Sequence, residues 1–163
     1  MKEEVLIFLG TFEKPEASME EKTDFIIEQN EMYLELKPLG VVYDYNALPY
    51  NDRAALKNFI SEKIGECKPK WIIGDGTSAT VLMSMKIPRR ILVNPKVTFE
   101  DLNNVTDKVR HSTFGFFDKH HEKDYERFQS VYPNSAWYPE TTIDLLDIKQ
   151  LIEGIIKEDL TDD

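Results

Sequence analysis

The chain has 163 residues, of which 41% are hydrophobic and 11% aromatic, a composition too apolar for a disordered protein. Its 20 Lys and Arg against 30 Asp and Glu give a formal net charge of -10, which disfavours nucleic acid and anionic membrane surfaces as primary partners. The length predicts a single domain over residues 1–158, followed by an acidic tail over 159–163 that we expect to be frayed and solvated.

The sequence predicts a cytoplasmic protein. Its apolar runs reach only about five residues, far short of the roughly 20 that a transmembrane helix needs. The start, Met1–Glu4, is acidic and lacks the apolar core and cleavage site of a signal peptide. Cys67 is the one cysteine, so no internal disulfide is possible, and no metal or other cofactor is indicated. The oligomeric state is left open.

Short apolar runs alternate with segments of helical periodicity along the whole chain. The first run, Val5–Leu9, is continuously hydrophobic, as in a strand buried on both faces. Asp52 can cap a helix, and Thr98 with Asp101 three residues on resembles a capping box. The predicted elements are, in order, a strand at 5–9, a helix at about 19–36, a strand at 40–43, a helix at about 52–66, a strand at 71–73, a helix at 77–85, a strand at 90–93, a short helix after residue 98, a strand at 113–117, a helix at about 121–131, a strand at 136–138 and a helix at about 143–157.

Six strands alternating with helices predict an α/β fold, a three-layer αβα sandwich with a mainly parallel sheet. In such sheets ligands bind at the carboxyl ends of the strands. We therefore expect the functional residues in the loops that directly follow strands.

The segment Gly74–Ser78 is the most informative of these loops. A predicted strand enters it and a helix follows at once, and its small residues let strand and helix approach closely. This is the pattern of a nucleophile elbow, G-x-S-x-G, which exposes its central serine above the sheet. Aligned on Gly74, the central position holds Gly76 and the last holds Ser78. Asp75, between the two glycines, is a candidate for binding a substrate hydroxyl or a metal, beside a turn-forming role.

Five strand-end segments follow one another in a recognisable order: Leu9–Phe12, Gly74–Ala79, Leu92–Pro95, Gly115–Asp118 and Tyr138–Thr142. Their order and spacing resemble the small bacterial esterase-like members of the α/β-hydrolase superfamily. Those proteins carry a His-Gly-Phe loop, a G-x-S-x-G-G elbow, an Asn-Pro, a Gly-x-x-Asp and a catalytic histidine at the matching places. The resemblance implies a minimal α/β-hydrolase-like fold without an inserted lid, in which Asp118 is the acid of the triad.

The chain departs from this family at the catalytic positions. Gly76 stands where the nucleophile would be, Leu9 replaces the histidine of the first loop, and the loop at 140–142 has no histidine. A serine nucleophile needs an adjacent base, and glycine has no side chain to activate. We therefore expect an esterase-like protein that has lost Ser–His–Asp catalysis and binds a small molecule at the strand-end cleft. The predicted binding residues are Gly10, Thr11, Gly74, Asp75, Gly76 and Thr141.

Two alternatives remain open. The first is an active small-ester hydrolase with a relocated nucleophile, Ser78 or Thr77, and a base from His120 or His121 beside Asp118. The competing interpretation is that these hydroxyls cap a helix and that the histidines lie on the surface. The second, weaker alternative is phosphate or nucleotide binding at 74–77, which matches the Gly-Asp-Gly-Thr loop of NAD kinases and diacylglycerol kinases. Those enzymes need a β-rich domain after the loop, and only 85 residues follow Ser78.

Overall fold

A computed structural model describes residues 4–11, 17–49 and 52–161. Six parallel strands alternate with helices and form one sheet in the order β2-β1-β3-β4-β5-β6, which confirms the predicted α/β fold. Phe12 of the first predicted loop and the last two residues of the predicted tail lie outside the described residues. The elements are β1 (Val5–Phe8), α1 (Met19–Leu36), β2 (Val41–Tyr43), α2 (Arg53–Cys67), β3 (Trp71–Asp75), α3 (Thr77–Ser84), β4 (Arg90–Val93), a 3₁₀ helix (Glu100–Leu102), α4 (Asp107–His111), β5 (Thr113–Phe117), α5 (Glu122–Gln129), β6 (Asn134–Trp137) and α6 (Lys149–Thr161).

Helices cover both faces of the sheet. Successive side chains of a strand point to opposite faces, so Ile72 of β3 packs into one core and Ile73 into the other. The first core joins the sheet to α2, α3 and α5, and the second joins it to α1 and α6. Strands buried on both faces need continuous apolar sequence, which explains the uninterrupted hydrophobic run of β1.

The strand order reverses between β1 and β3. From β1 the chain crosses to β2 on one side, and it later returns to β3 on the other side, with Phe8 paired to Gly74. The loops that leave β1 and β3 therefore diverge from neighbouring strands. A crevice at such a reversal is the usual ligand site of an open parallel sheet.

The predicted helix starts are confirmed by their hydrogen bonds. The Asp52 carboxylate accepts from the N–H groups of Ala54 and Ala55 at 2.9 and 3.2 Å. Thr98 and Asp101 form the predicted reciprocal pair, in which each side chain accepts from the other's backbone N–H, at 2.8 and 3.4 Å. Both patterns satisfy backbone donors that have no partner within the helix.

Arg90 lies wholly buried in β4 and fixes the end of α3. Its guanidinium donates to the carbonyls of Leu82 and Met83 at 2.7 and 3.2 Å, and to the hydroxyl groups of Thr113 and Tyr132. Burial lowers the pKa of Arg90, and the contact with Tyr132 opposes this shift. The helix that follows the glycine turn is thus held at its C-terminal end by a side chain from the neighbouring strand.

The C-terminal segment differs from the prediction. Residues 143–148 are not helical, with turns at 145–148, and α6 begins at Lys149 and continues to Thr161. Asp159 is not solvated as a frayed tail would be, since the Trp71 indole N–H donates to its carboxylate at 3.0 Å and Arg89 lies 3.5 Å away. The acidic composition of this segment does not indicate that Asp159 has partners distant in the sequence.

Within the described part of the chain, no helix has the length and apolar character needed to cross a bilayer.

Candidate functional site

The loop after β1 and the turn after β3 lie against each other at the carboxyl edge of the sheet. The Thr11 hydroxyl donates to the Thr77 hydroxyl at 3.2 Å. Gly10 approaches the turn so closely that a Cβ there would lie 3.5 Å from the Asp75 carbonyl oxygen. These four predicted site residues therefore meet at the strand-order reversal, and we call this place the crevice.

Gly76 forms the tip of a strained strand-to-helix turn. Its φ of 57° and ψ of -119° lie in a region that residues with a Cβ rarely adopt, and its N–H donates to the Val93 carbonyl at 3.0 Å. Among the described residues, a Cβ on Gly76 would meet only the Gly10 Cα, at the ordinary contact distance of 3.8 Å, whereas one on Gly74 would lie 2.7 Å from Leu82 Cδ1. The turn thus has the sharp geometry of a nucleophile elbow, but it carries no side chain at its tip.

The start of α3 offers hydrogen-bond donors to the crevice. Its N-cap residue is Gly76, and within the described structure no side chain caps it. Its first N–H groups, at Thr77 and Ser78, precede the point where intrahelical bonding begins with Thr80 N–H to Gly76 O at 3.0 Å. Donors of this kind bind carbonyl oxygens or anions.

The two candidate nucleophiles have structural partners. Ser78 is completely buried, and its hydroxyl donates to the Leu9 carbonyl oxygen at 2.8 Å, which ties α3 to the end of β1. The Thr77 hydroxyl accepts the bond from Thr11. Both hydroxyls therefore join the first loop to the turn.

Asp118, the predicted triad acid, is buried at the end of β5 and accepts three hydrogen bonds. The donors are the His120 N–H at 3.0 Å, the Asn94 side-chain amide at 3.0 Å and the Ile143 N–H at 3.1 Å. Asn94 accepts in return from the Asp118 N–H at 2.9 Å. The carboxylate thereby connects the ends of β4 and β5 to the loop after β6.

The alternative hydrolase mechanism requires the side chain of His120 or His121 to contact Asp118, and the observed hydrogen bonds of these residues are different. His120 reaches Asp118 through its backbone N–H, and its side chain is exposed. His121 Nδ1 lies 3.1 Å from Asp124 Oδ2, and the other oxygen of Asp124 accepts from the Val97 N–H at 2.9 Å. His121 is thus paired with Asp124, whereas the Ser78 hydroxyl is bonded to the Leu9 carbonyl oxygen. The predicted nucleophile and the predicted base therefore have separate hydrogen-bond partners.

Asp75 has the strongest electrostatic perturbation at the crevice. The pKa of Asp75 is raised to about 7, chiefly by burial of its carboxyl group and also by the charges of Asp144 and Asp118, against the opposing effect of the Leu145 and Gly76 N–H groups. The pKa of Asp144 is itself raised, chiefly by burial. Sequence reasoning singled out Asp75 but missed Asp144, because nothing in the local pattern brings the loop after β6 to the end of β3.

Thr141, the predicted residue of the last loop, is exposed. Its hydroxyl donates to the Thr142 carbonyl at 3.1 Å, and its own carbonyl accepts from the Lys119 N–H at 3.1 Å. This pairing lays the loop after β6 beside the loop after β5. The Gly76 N–H donates to the Val93 carbonyl, and the next residue, Asn94, is bonded to Asp118, so the glycine turn and the buried acid lie at the same edge of the sheet.

The described residues contain no group of three or more His, Cys, Asp or Glu side chains arranged to hold a metal ion. Comparisons of the chain with protein-family models, with curated proteins and with solved structures find no match. The fold and the crevice define an α/β protein whose parallel sheet reverses its strand order between β1 and β3.

Proposed function

We propose that this chain is an esterase-like α/β protein without Ser–His–Asp hydrolysis, which binds a small molecule in the crevice between the loops after β1 and β3. The observation that carries the proposal is Gly76 at the tip of the sharp turn. A hydrolase of this architecture presents its nucleophile side chain there, and Gly76 has no side chain to present.

The hydrogen bonds of Asp118 support the absence of a triad. In a triad the acid orients the histidine that serves as base. Here both oxygens of Asp118 accept from donors of the strand-end loops, and the loop that would carry the histidine holds Thr141. The buried Ser78, bonded to Leu9, lacks the access that a nucleophile requires.

The groups around the crevice favour a neutral polar ligand with carbonyl or hydroxyl groups. The start of α3 supplies N–H donors, and the Thr11 and Thr77 hydroxyls lie beside them. With a pKa of about 7, Asp75 is partly protonated at neutral pH and can both donate and accept. The carboxyl groups of Asp118 and Asp144 disfavour an anion, which also weakens the case for phosphate at the 74–77 turn.

Labelling with a fluorophosphonate probe, together with p-nitrophenyl ester turnover, tests the loss of hydrolysis. We expect no stoichiometric label on the native chain and no turnover above buffer. The double variant Gly76→Ser/Thr141→His should react with the probe faster than Gly76→Ser alone, since only the double variant offers a base. Stoichiometric labelling of native Ser78 or Thr77 would instead establish the active-hydrolase alternative.

Ligand-observed NMR with a set of neutral esters, amides and polyols tests binding at the crevice. Thr77→Val removes the shared hydroxyl and should weaken the bound compounds by about fivefold or more, the effect of losing one hydrogen bond to the ligand. Thr142→Val, in the exposed loop after β6, is the matched control. Equal affinity in both variants would show that the compounds bind elsewhere.

A further inference from the structure

A cavity of about 430 Å³ has a lining that shares no residue with the crevice and that begins on α3 at Thr80. Its wall combines side chains of α2 and α3 with the segment after β4 and the 3₁₀ helix. This volume is within the usual range of small-molecule pockets, roughly 300–1000 Å³. It is large enough for more than a single inorganic ion.

The cavity is positively charged in a negatively charged protein. Arg53, Lys57, Lys86 and Lys96 line it, against two acidic residues, Glu100 and Asp101. Asp101 is nearly buried and already accepts from the Thr98 N–H at 2.8 Å. A local excess of cations in a chain of net charge -10 concentrates positive potential in one cleft.

Three of the basic residues that line the cavity have no ion-pair partner among the described residues. Lys57, Lys86 and Lys96 form no ion pair there, whereas Lys149 pairs with Glu35 and Arg89 with Asp159. Other lysines of the described surface also lack an ion pair, but these three line one cavity together. Within the described structure, positive charge is thus gathered at this cavity without acidic partners for the three lysines, although acidic residues outnumber basic ones in the chain.

The wall around these lysines is held by hydrogen bonds. The Thr80 hydroxyl accepts from the Lys96 N–H at 2.9 Å and donates to the Gly76 carbonyl at 3.2 Å. The Ser84 hydroxyl, also in the wall, donates to the Val81 carbonyl at 2.7 Å. Lys96 thus stands on a backbone fixed to α3, and the cavity does not depend on a free loop at this side.

We propose that this cavity binds a small molecule that carries a chain of linked phosphates, with Lys57, Lys86 and Lys96 contacting the phosphoryl oxygens. Lysine is a common point-charge ligand of phosphate, and three ammonium groups from separate segments suit several anionic groups in a row. Inorganic polyphosphate and a nucleoside polyphosphate share this chemistry. The site is distinct from the crevice and does not depend on the function proposed for it.

Isothermal titration calorimetry with inorganic tripolyphosphate, ATP and adenosine tests the proposal. We expect tripolyphosphate and ATP to bind saturably at one site, more weakly at high salt than at low salt, and adenosine not to bind. An ATP affinity well above that of tripolyphosphate indicates a nucleotide, and similar affinities indicate the phosphate chain alone. A polyglutamate peptide that binds more tightly than either would overturn the proposal in favour of an acidic protein partner.

A pair of charge-matched variants locates the binding. Lys57→Gln/Lys96→Gln should weaken tripolyphosphate by about tenfold or more, because two charge-assisted contacts are lost. Lys108→Gln/Lys123→Gln removes the same charge from α4 and α5, outside the cavity, and should change the affinity by less than about twofold. The absence of saturable binding to the native chain, or equal weakening in both variants, would overturn the proposal. Thermal unfolding of each variant verifies its fold. The salt dependence of binding is measured on the native chain, so it tests the proposal even if a variant fails to fold.

Discussion

Asn94 and Asp118 exchange two hydrogen bonds across the ends of β4 and β5. The Asn94 amide donates to the Asp118 carboxylate at 3.0 Å, and the Asp118 N–H donates to the Asn94 carbonyl oxygen at 2.9 Å. The Asn94 amide also lies 3.2 Å from the Ile143 carbonyl, and its backbone has a φ of 52°. Asparagine is one of the few residues that accept this conformation. Asn94 and Asp118 therefore form a structural junction of three strand-end loops, those after β4, β5 and β6.

Asn94→Ala tests the strength of this junction. The substitution removes three hydrogen bonds and leaves a β-carbon in the left-handed region, so we expect the free energy of unfolding to fall by about 2–4 kcal/mol. Asn104→Ala is a matched control, since Asn104 has a φ of 56° but is exposed and makes no side-chain hydrogen bond within the described structure. It should cost only about 1 kcal/mol. Urea unfolding measures both values, and equal losses would mean that the junction adds nothing.

Asp75 gives the protein a predictable pH dependence. Its pKa is about 7 in the folded state against 3.8 for the unperturbed group. The folded state therefore holds this proton more tightly than the unfolded state does. The stability from this group is complete below the unfolded pKa and is lost as the pH rises through the folded pKa, by at most about 1.4 kcal/mol per pH unit in between.

Asp75→Asn removes this dependence. The difference in unfolding free energy between Asp75→Asn and the native chain should grow in favour of the variant from pH 4 to pH 7 and stay constant above pH 8, because the native chain alone carries the unfavourable buried charge. Chemical unfolding across this pH range provides the measurement. Asn104→Ala, which changes an exposed residue without a titratable group, is the control and should show no such trend. A constant difference for Asp75→Asn would contradict the raised pKa.

The buried guanidinium of Arg90 stabilises the fold through hydrogen bonds to α3, β5 and Tyr132. Arg90→Lys keeps the charge but cannot reach the Leu82 carbonyl, Thr113 and Tyr132 together, so we expect a loss of about 3–5 kcal/mol. Tyr132→Phe removes only one acceptor and should cost about 1–2 kcal/mol. In the double-mutant cycle the two losses should not add, since the Tyr132 contact is already gone without Arg90. Strictly additive losses would show that the hydrogen bond between Arg90 and Tyr132, at 3.2 Å, contributes nothing to stability.

Much of the fold was predictable because its signals are local. Apolar periodicity placed α1 over the segment that is helical in the structure, and the carboxylate of Asp52 marked the start of α2. The parallel sheet followed from the alternation of strands and helices. The end of α6 was not predictable, because its acidic residues resemble a solvated tail while Asp159 binds Trp71, a residue far away in the sequence.

The crevice was predictable only in part, for a similar reason. The glycine turn has its own local pattern, and the rule that ligands bind at strand ends placed Gly10 and Thr11 beside it. The pairing of His121 with Asp124 and the approach of Asp144 to Asp75 depend on how the later loops fold over the sheet. A side chain's partner across loops is a tertiary property, so the sequence indicated acids and histidines near one edge without indicating which of them pair.

The glycine turn can be tested by one substitution at two positions. Gly76→Ser places its Cβ at an ordinary contact distance, 3.8 Å from the Gly10 Cα among the described residues, and should cost about 1–2 kcal/mol for a positive φ of 57° alone. Gly74→Ser sets its Cβ 2.7 Å from Leu82 Cδ1 and 3.0 Å from the Ala79 backbone nitrogen, so it must push α3 away from β3 and should cost about 3 kcal/mol or more. Thermal and urea unfolding compare the two. A loss in Gly76→Ser as large as that in Gly74→Ser would mean that the tip of the turn has no room for a side chain, and the comparison with a nucleophile elbow would then fail.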